Sequence, residues 1–369
     1  MKLSLAQLQA AVAQYVTEAK ISNATYQITR DNVAALVDKI AKIFTLDTRF
    51  VDKLAIFDGE EFSYGKDIEE WQEDLILPVD YDATGSGNMV PNDPTYRPNF
   101  YSKSLGKKVF ITTQRNNNLE RAVHFQDQLV ALVSMISKRL YDSEAAWRYE
   151  VKRELVGAHC NLAEQVMTTS NQYAAVGTYS EGQVLKDPSS EVRGIVVKKM
   201  ATGNLTSSWA DAVAKGYIIP LDLVTNIAIP TDTATGEAFL KQVKADIEIA
   251  SDISEGHSLN GNTLGVTDTL VLLVKQGVMP SLDVDTMAGA FHLDKVAVPV
   301  EIIVVKDFGS AADEVYAVLT DSRAFRLHNT YRAVREDYNG KGDFINYNLH
   351  TENTGFASRN TFFKVYKNV

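Results

Sequence analysis

NNNLERAVHFQDQLVALVSMISKRLYDSEAAWRYEVKREL, residues 116–155, decides how the rest of the chain is read. Ala122, Phe125, Leu129, Leu132, Ile136 and Leu140 recur three or four positions apart, and Trp147, Val151, Leu155 and Ala158 continue the stripe. That period puts one apolar face on an α-helix. Asn117 or Asn118 supplies a cap, Glu120 and Arg121 fill the first turn, no proline interrupts the run, and Gly157 is its one weak position. The pattern predicts a helix over residues 117–168, ~75 Å long at a rise of ~1.5 Å per residue. A helix of that length is a spine along which other parts pack.

Upstream, EDLILPVDYD (73–82) and KKVFITTQR (107–115) alternate apolar and polar residues as strands do. Between them lie Gly85, Gly87, Pro91 and Pro94, followed by Tyr96, Pro98, Phe100 and Tyr101. Compact domains rarely hold so long a structureless loop without a use for it, and an extended hairpin is expected. Its charge is segregated. Residues 58–82 carry ten acids against Lys66, a net charge of −9. Residues 83–116 carry Asp93 against Arg97, Lys103, Lys107, Lys108 and Arg115, a net charge of +4. A solvated, salt-bridged hairpin accounts for this, and so does an arm whose acidic and basic edges pair with those of another copy. Still earlier, residues 1–57 read as two short helices. Leu3, Leu8, Val12 and Val16 lie on one stripe, and Val33, Leu36, Val37, Ile40 and Ile43 on another. Neither is long enough to stand alone.

Downstream the pattern turns to strands and polar turns, with EVRGIVVKKM (191–200) the clearest strand. Residues 210–330 then alternate. A helix is expected at 238–253 and a short one at 281–291, with buried strands in DTLVLLVKQ (268–276), VPVEIIVVKDF (298–308) and DEVYAVLTD (313–321). Such continuous apolar runs imply a sheet covered on both faces. TYRAVREDY and DFINYNLH flank Asn339-Gly340, a strong hairpin signal, and RNTFFKVYKN (359–368) reads as a closing strand. The fold class is α+β.

The whole chain has 369 residues, 45% of them apolar and 23% charged, with a net charge of −10. Its length fits two or three domains. The balance is that of a protein with a real core, and the acidity argues against affinity for nucleic acid, which needs a basic surface. No run approaches the roughly 20 apolar residues of a membrane span. The amphipathic N-terminus lacks the unbroken apolar stretch of a signal peptide, so the chain is not expected to be exported. Cys160 stands alone, which excludes an internal disulfide and a cysteine-based zinc site and fits intracellular folding.

Catalytic motifs are missing. TGSGNM (84–89) lacks the Gly-Lys-Ser/Thr ending of a phosphate loop, and Ser86 lacks the spacing of a nucleophile elbow. His124, His159, His257, His292, His328 and His350 are scattered, and His159 and Cys160, as helix neighbours, point about 100° apart. Asp252 with Glu255, or Asp283 with Asp285, could hold a cation, although isolated acid pairs are usually only solvated. No catalytic residue, cofactor or metal is expected.

The order of these parts resembles the major capsid proteins of tailed bacteriophages with the Hong Kong 97 type of fold. The resemblance rests on residues 116–155, similar to the helix after that family's E-loop, and on VPVEIIVVKDFGSAADEVYAVLTDSRAFRLHNTYRAVREDYN (298–339), similar to its return from the axial to the peripheral domain. It implies an N-terminal arm (1–57), an E-loop hairpin (58–116), a peripheral domain with the spine helix (117–206), an axial domain (207–330) and peripheral return strands (331–369). It further implies pentamers and hexamers in an icosahedral shell around double-stranded DNA, held without sequence-specific binding. Portal and scaffolding proteins are the implied partners, with assembly in the host cytoplasm, residence in the virion and no membrane contact. The E-loop would lie across an adjacent subunit, with Trp71, Tyr96, Arg97, Phe100, Tyr101, Lys107 and Lys108 as contact residues, since aromatic residues and arginine dominate interface energetics. Packing of Trp71 on its own subunit is the competing expectation. Some relatives cross-link a lysine to an asparagine, and no positions here match that chemistry. Two other readings compete: an encapsulin-like compartment with an internal groove for a cargo peptide, and a soluble α/β enzyme with a pocket in 207–330.

Overall fold

The computed structural model describes residues 50–61, 68–73, 83, 96–101, 104–115, 126–175, 177–201, 206–266, 268–278 and 300–369. The expected helices in 1–49, the strand over 74–82, the 84–89 turn and the 281–291 helix lie outside them. In chain order the strands are β1 (Ile68–Glu73), β2 (Tyr96–Tyr101), β3 (Ser104–Arg115), β4 (Val184–Lys186), β5 (Arg193–Val196), β6 (Ile218–Leu221), β7 (Val224–Asn226) and β8 (Ile253–Ser258). They continue with β9 (Gly261–Leu264), β10 (Leu270–Lys275), β11 (Glu301–Val305), β12 (Val315–Asp321), β13 (Phe325–Asn339), β14 (Phe344–Ala357) and β15 (Phe363–Lys367). The helices are α1 (Gln126–Met167), α2 (Trp209–Ala214) and α3 (Thr233–Ala250).

The spine helix is α1, 42 residues long, which is ~63 Å at ~1.5 Å per residue. Its expected first turns, 117–125, lie outside the described residues. The chain divides into two compact units: Met1–Gly65 with Ser104–Lys152 and Leu327–Gly355, and Lys66–Lys103 with Arg153–Arg326 and Phe356–Val369.

In the first unit β13, β14 and β3 form a three-stranded sheet with β14 in the middle. Residues 107–115 lie within β3, whose ladder runs along β14 from Ser104↔Thr354 to Arg115↔Phe344; the strand expected over 74–82 lies outside the described residues. Burial favours the β3–β14 pairing: Phe110 of β3 meets Trp147 of α1 edge to face at 6.1 Å, and Ile345, Tyr347 and Leu349 of β14 are buried. The β13–β14 hairpin forms as expected, but with a longer turn. Asn339 Oδ1 accepts from Lys341 N (3.1 Å) and Gly342 N (3.0 Å), and Asp343 takes φ +49°, so residues 340–343 replace a two-residue turn. A 3-10 helix at Ala55–Phe57 packs Leu54 and Phe57 into this core. Lys152, 1% exposed, holds that segment with ion pairs to Asp52 (2.7 Å) and Asp58 (2.6 Å), and Arg148 adds Asp58 (2.6 Å) and Asn353 (3.1 Å).

The second unit is built on a five-stranded sheet ordered β11-β10-β12-β15-β7. β10 runs parallel to β11 and antiparallel to β12, and β15 runs antiparallel to β12 and parallel to β7. All seven residues of β12 are buried, as a strand covered on both faces requires. One cover is α3, capped by Asp232 and Thr235, which sends Phe239, Val243 and Ile247 against Leu272, Leu319 and Tyr366. The other is the C-terminal half of α1, where His159 meets Phe363 edge to face at 4.5 Å. The closing strand β15 therefore sits inside this sheet, apart from the β13–β14 hairpin. Gly157 earns its place in α1 here: a Cβ at 157 would overlap the Phe308 carbonyl oxygen. A smaller sheet, β4-β5-β6, encloses a second cluster of Tyr173, Leu185, Val196, Met200 and Ile218 beside α2, and β8–β9 form a separate hairpin.

Candidate subunit-contact arm

The arm's described residues form a two-stranded ladder, with Ile68 opposite Tyr101, Glu70 opposite Asn99, Trp71 opposite Pro98 and Glu73 opposite Tyr96. A strand sends alternate side chains to opposite faces, and the two faces of this ladder do different things. One is tied to the unit that holds it. Glu70 accepts from the Tyr101 hydroxyl (2.9 Å) and the Ser358 hydroxyl (2.5 Å). Tyr101 in turn accepts from Arg359 N (3.0 Å) and packs on Phe356 with ring centroids 5.5 Å apart, and Asn99 donates to Asn360 (3.1 Å). Burial and the Glu70 carboxylate push the Tyr101 phenol well above its ordinary value, so it stays a donor.

The other face looks outward. Trp71 is 59% exposed and Phe100 65%, with Glu69 exposed beside them. Trp71 also lines a cleft of about 930 Å³ whose lips are Ile253 and Leu264 and whose floor includes Val197, Ile219 and Phe362. Trp71 thus touches its own unit and still presents most of its surface. Tyr96 and Arg97 pair by backbone with Glu73 and Gln72. Tyr101 faces inward as an anchor. Lys107 lies 4.0 Å from Glu352 and 5.5 Å from the Tyr331 ring, and Lys108, next to it on β3, is exposed on the opposite face.

Sequence reasoning missed four residues here. Ser358 and Asn360 make the arm's anchor, and no local pattern marks them because their partners are more than 250 residues away. Val109 and Ile111 of β3 are exposed at 43% and 64%, and the alternation of KKVFITTQR already put them on one face with Lys107, Thr113 and Arg115.

Elsewhere the geometry offers little chemistry. Burial raises the Cys160 thiol far above its ordinary value, and burial with the nearby Arg359 charge lowers His159 to about 3. Asp252 accepts from Ile253 N, and no group of three His, Cys, Asp or Glu able to hold a metal occurs among the described residues. No helix there is long and apolar enough to cross a membrane.

Comparison with known proteins agrees with this arrangement. The chain is 12% identical to the protein in the capsid structure of Staphylococcus phage Andhra, with a TM-score of 0.56 over 88% of this chain and 86% of that one. It is 7% identical to the protein in the capsid structure of cyanophage P-SCSP1u, with a TM-score of 0.52 over 85% of this chain and 86% of that one. The shared fold is the Hong Kong 97-like fold of tailed-phage capsids. The major capsid protein of Bacillus phage PZA is 20% identical over 337 residues, which are 90% of this chain and 62% of the relative, so the chain spans under two thirds of that protein's length. The profile of the Phi29-like phage major capsid protein matches residues 3–363, and the chain belongs to that family.

Proposed function

We propose that this protein is the structural subunit of a phage capsid. Its copies assemble as pentamers and hexamers into an icosahedral shell that encloses double-stranded DNA without reading its sequence. The observation that carries the reading is the family match over residues 3–363. The acidic net charge of −10 suits a container whose walls do not grip their genome. In this reading residues 1–57 are the N-terminal arm, 58–116 the E-loop, 117–206 with 331–369 the peripheral domain, and 207–330 the axial domain to which β15 is lent. The E-loop clamps an adjacent subunit, with Trp71 and Phe100 as its leading contacts, Tyr96, Arg97, Lys107 and Lys108 as further ones, and Tyr101 holding the arm in place. Portal and scaffolding proteins are further partners, with assembly in the host cytoplasm and residence in the virion. Repeated head-to-tail contacts between identical copies close into rings and shells when the rotation allows.

Sedimentation of the purified full-length chain, with negative-stain images of the heavy fraction, tests this. Pentamers, hexamers or closed shells are expected. A monomer or dimer at every concentration and salt, unchanged when phage scaffolding protein is added, would remove the capsid reading.

A further inference from the structure

We infer that the outward face of the β1–β2 arm docks, in a second copy of this chain, on the exposed stripe of β3. The inference rests on the capsid reading and names the receiving surface that reading leaves open. Among the described residues β3 lies at one end of the β13-β14-β3 order, and the stripe formed by Lys107, Val109, Ile111, Thr113 and Arg115 is exposed along its length. A long, flat edge strand with exposed apolar residues invites pairing or aggregation unless something covers it. Val109 and Ile111 form an apolar centre with a cation at each end, Lys107 and Arg115. The β14 residues opposite are Glu352, His350, Asn348, Asn346 and Phe344. Glu352 is the only carboxylate among them, and it is 7% exposed, near Lys107.

The arm has the complementary character. Trp71 and Phe100 supply a large apolar surface, Glu69 stands exposed beside Trp71, and the arm's other face is already committed to Ser358, Arg359 and Asn360. An aromatic pair with an acidic flank meets an aliphatic centre with basic flanks. Aromatic anchors in an apolar patch supply most of an interface's affinity, and the charges set partner and register. Because the arm and the stripe are different surfaces of the same chain, the contact is heterologous: each copy gives an arm to the next and receives one.

The test uses the full-length chain, whose one native cysteine, Cys160, is buried. Trp71→Cys and Ile111→Cys are placed in one chain, and assembled particles are oxidised with copper phenanthroline and run on a non-reducing gel. A ladder of two to six chains is expected, with neither single variant producing it. Intact particles that give only monomer, a disulfide closed within one chain, or a dimer from Trp71→Cys alone would overturn the docking while leaving the shell reading standing. Failure of the parent chain to form particles at all would remove the shell reading, and the docking with it. Independently, Ile111→Asp, a change at an exposed position, is expected to keep the parent unfolding temperature and raise the concentration needed for assembly at least tenfold. Val192→Asp, exposed elsewhere, leaves it unchanged. An Ile111→Asp chain that assembles like the parent overturns the inference.

Discussion

At the residue scale the structure turns two apparently weak positions into requirements. Gly157 reads in sequence as a flaw in a long helix, since glycine costs about 1 kcal/mol there relative to alanine. The backbone of Phe308 occupies the space a Cβ would need. Gly157→Ala is therefore expected to lower the unfolding temperature despite its better helix propensity, as overpacking costs about 1–3 kcal/mol; calorimetry that shows a stabilised variant would refute the steric account. His159 is the second case. Burial and the Arg359 charge hold it at about 3 in the folded chain, whereas an exposed histidine titrates near 6.5. Its folded pKa is depressed, so as pH falls below about 6.5 the unfolded chain takes up a proton that the folded chain refuses. Stability is lost on acidification, by about 1.4 kcal/mol per pH unit until the folded value is reached. His159→Phe should flatten this limb. The check is the difference between parent and variant urea midpoints at pH 7.5 and pH 5, and equal drops for the two would show that His159 does not carry the dependence.

At the element scale, much was legible from periodicity and some was not. The 3–4 spacing of Ile136, Leu140 and Trp147 gave α1, and the unbroken apolar run of VYAVLTD gave a strand buried on both faces, because each is a local consequence of what the element packs against. Pairing partners are not local. Nothing in KKVFITTQR says that its ladder lies 229 (Arg115↔Phe344) to 245 (Lys107↔Glu352) residues away on β14, or that Glu70 will find Ser358. The aromatic arm residues at 71 and 100 were visible as candidates, while the division of labour between the arm's faces had to come from register. That division is testable. The Glu70 carboxylate receives two hydroxyl hydrogen bonds, each worth about 1.5–3 kcal/mol as a bond to a charged group. Ser358→Ala with Tyr101→Phe should free the arm without unfolding its unit, so amides of 68–73 and 96–101 should exchange roughly a hundredfold or more faster while those of β10 and β12 keep their protection. Unchanged exchange in the arm would mean that the cleft around Trp71, not the Glu70 anchor, holds it.

At the scale of the whole molecule, charge sets the terms on which copies meet. Each chain carries −10, and like net charges repel at long range. The Debye length is about 30 Å at 0.01 M salt and about 8 Å at 0.15 M, so net repulsion between copies is strong in dilute buffer and largely screened at physiological strength. Contacts such as Glu69 against a β3 cation act at close range and, once partly covered by Trp71 and Phe100, are screened less. The two effects oppose each other on different length scales. Long-range repulsion wins at low salt, so the assembled fraction should rise as salt increases from 0.01 M to about 0.15 M, then level off as apolar burial at the arm takes over. Sedimentation across a salt series at fixed protein concentration reads this directly. An assembled fraction that is greatest at the lowest salt would mean that attraction between oppositely charged edges outweighs the net charge. The Glu69→Gln variant would then lose that low-salt assembly, placing the attraction on the acidic arm.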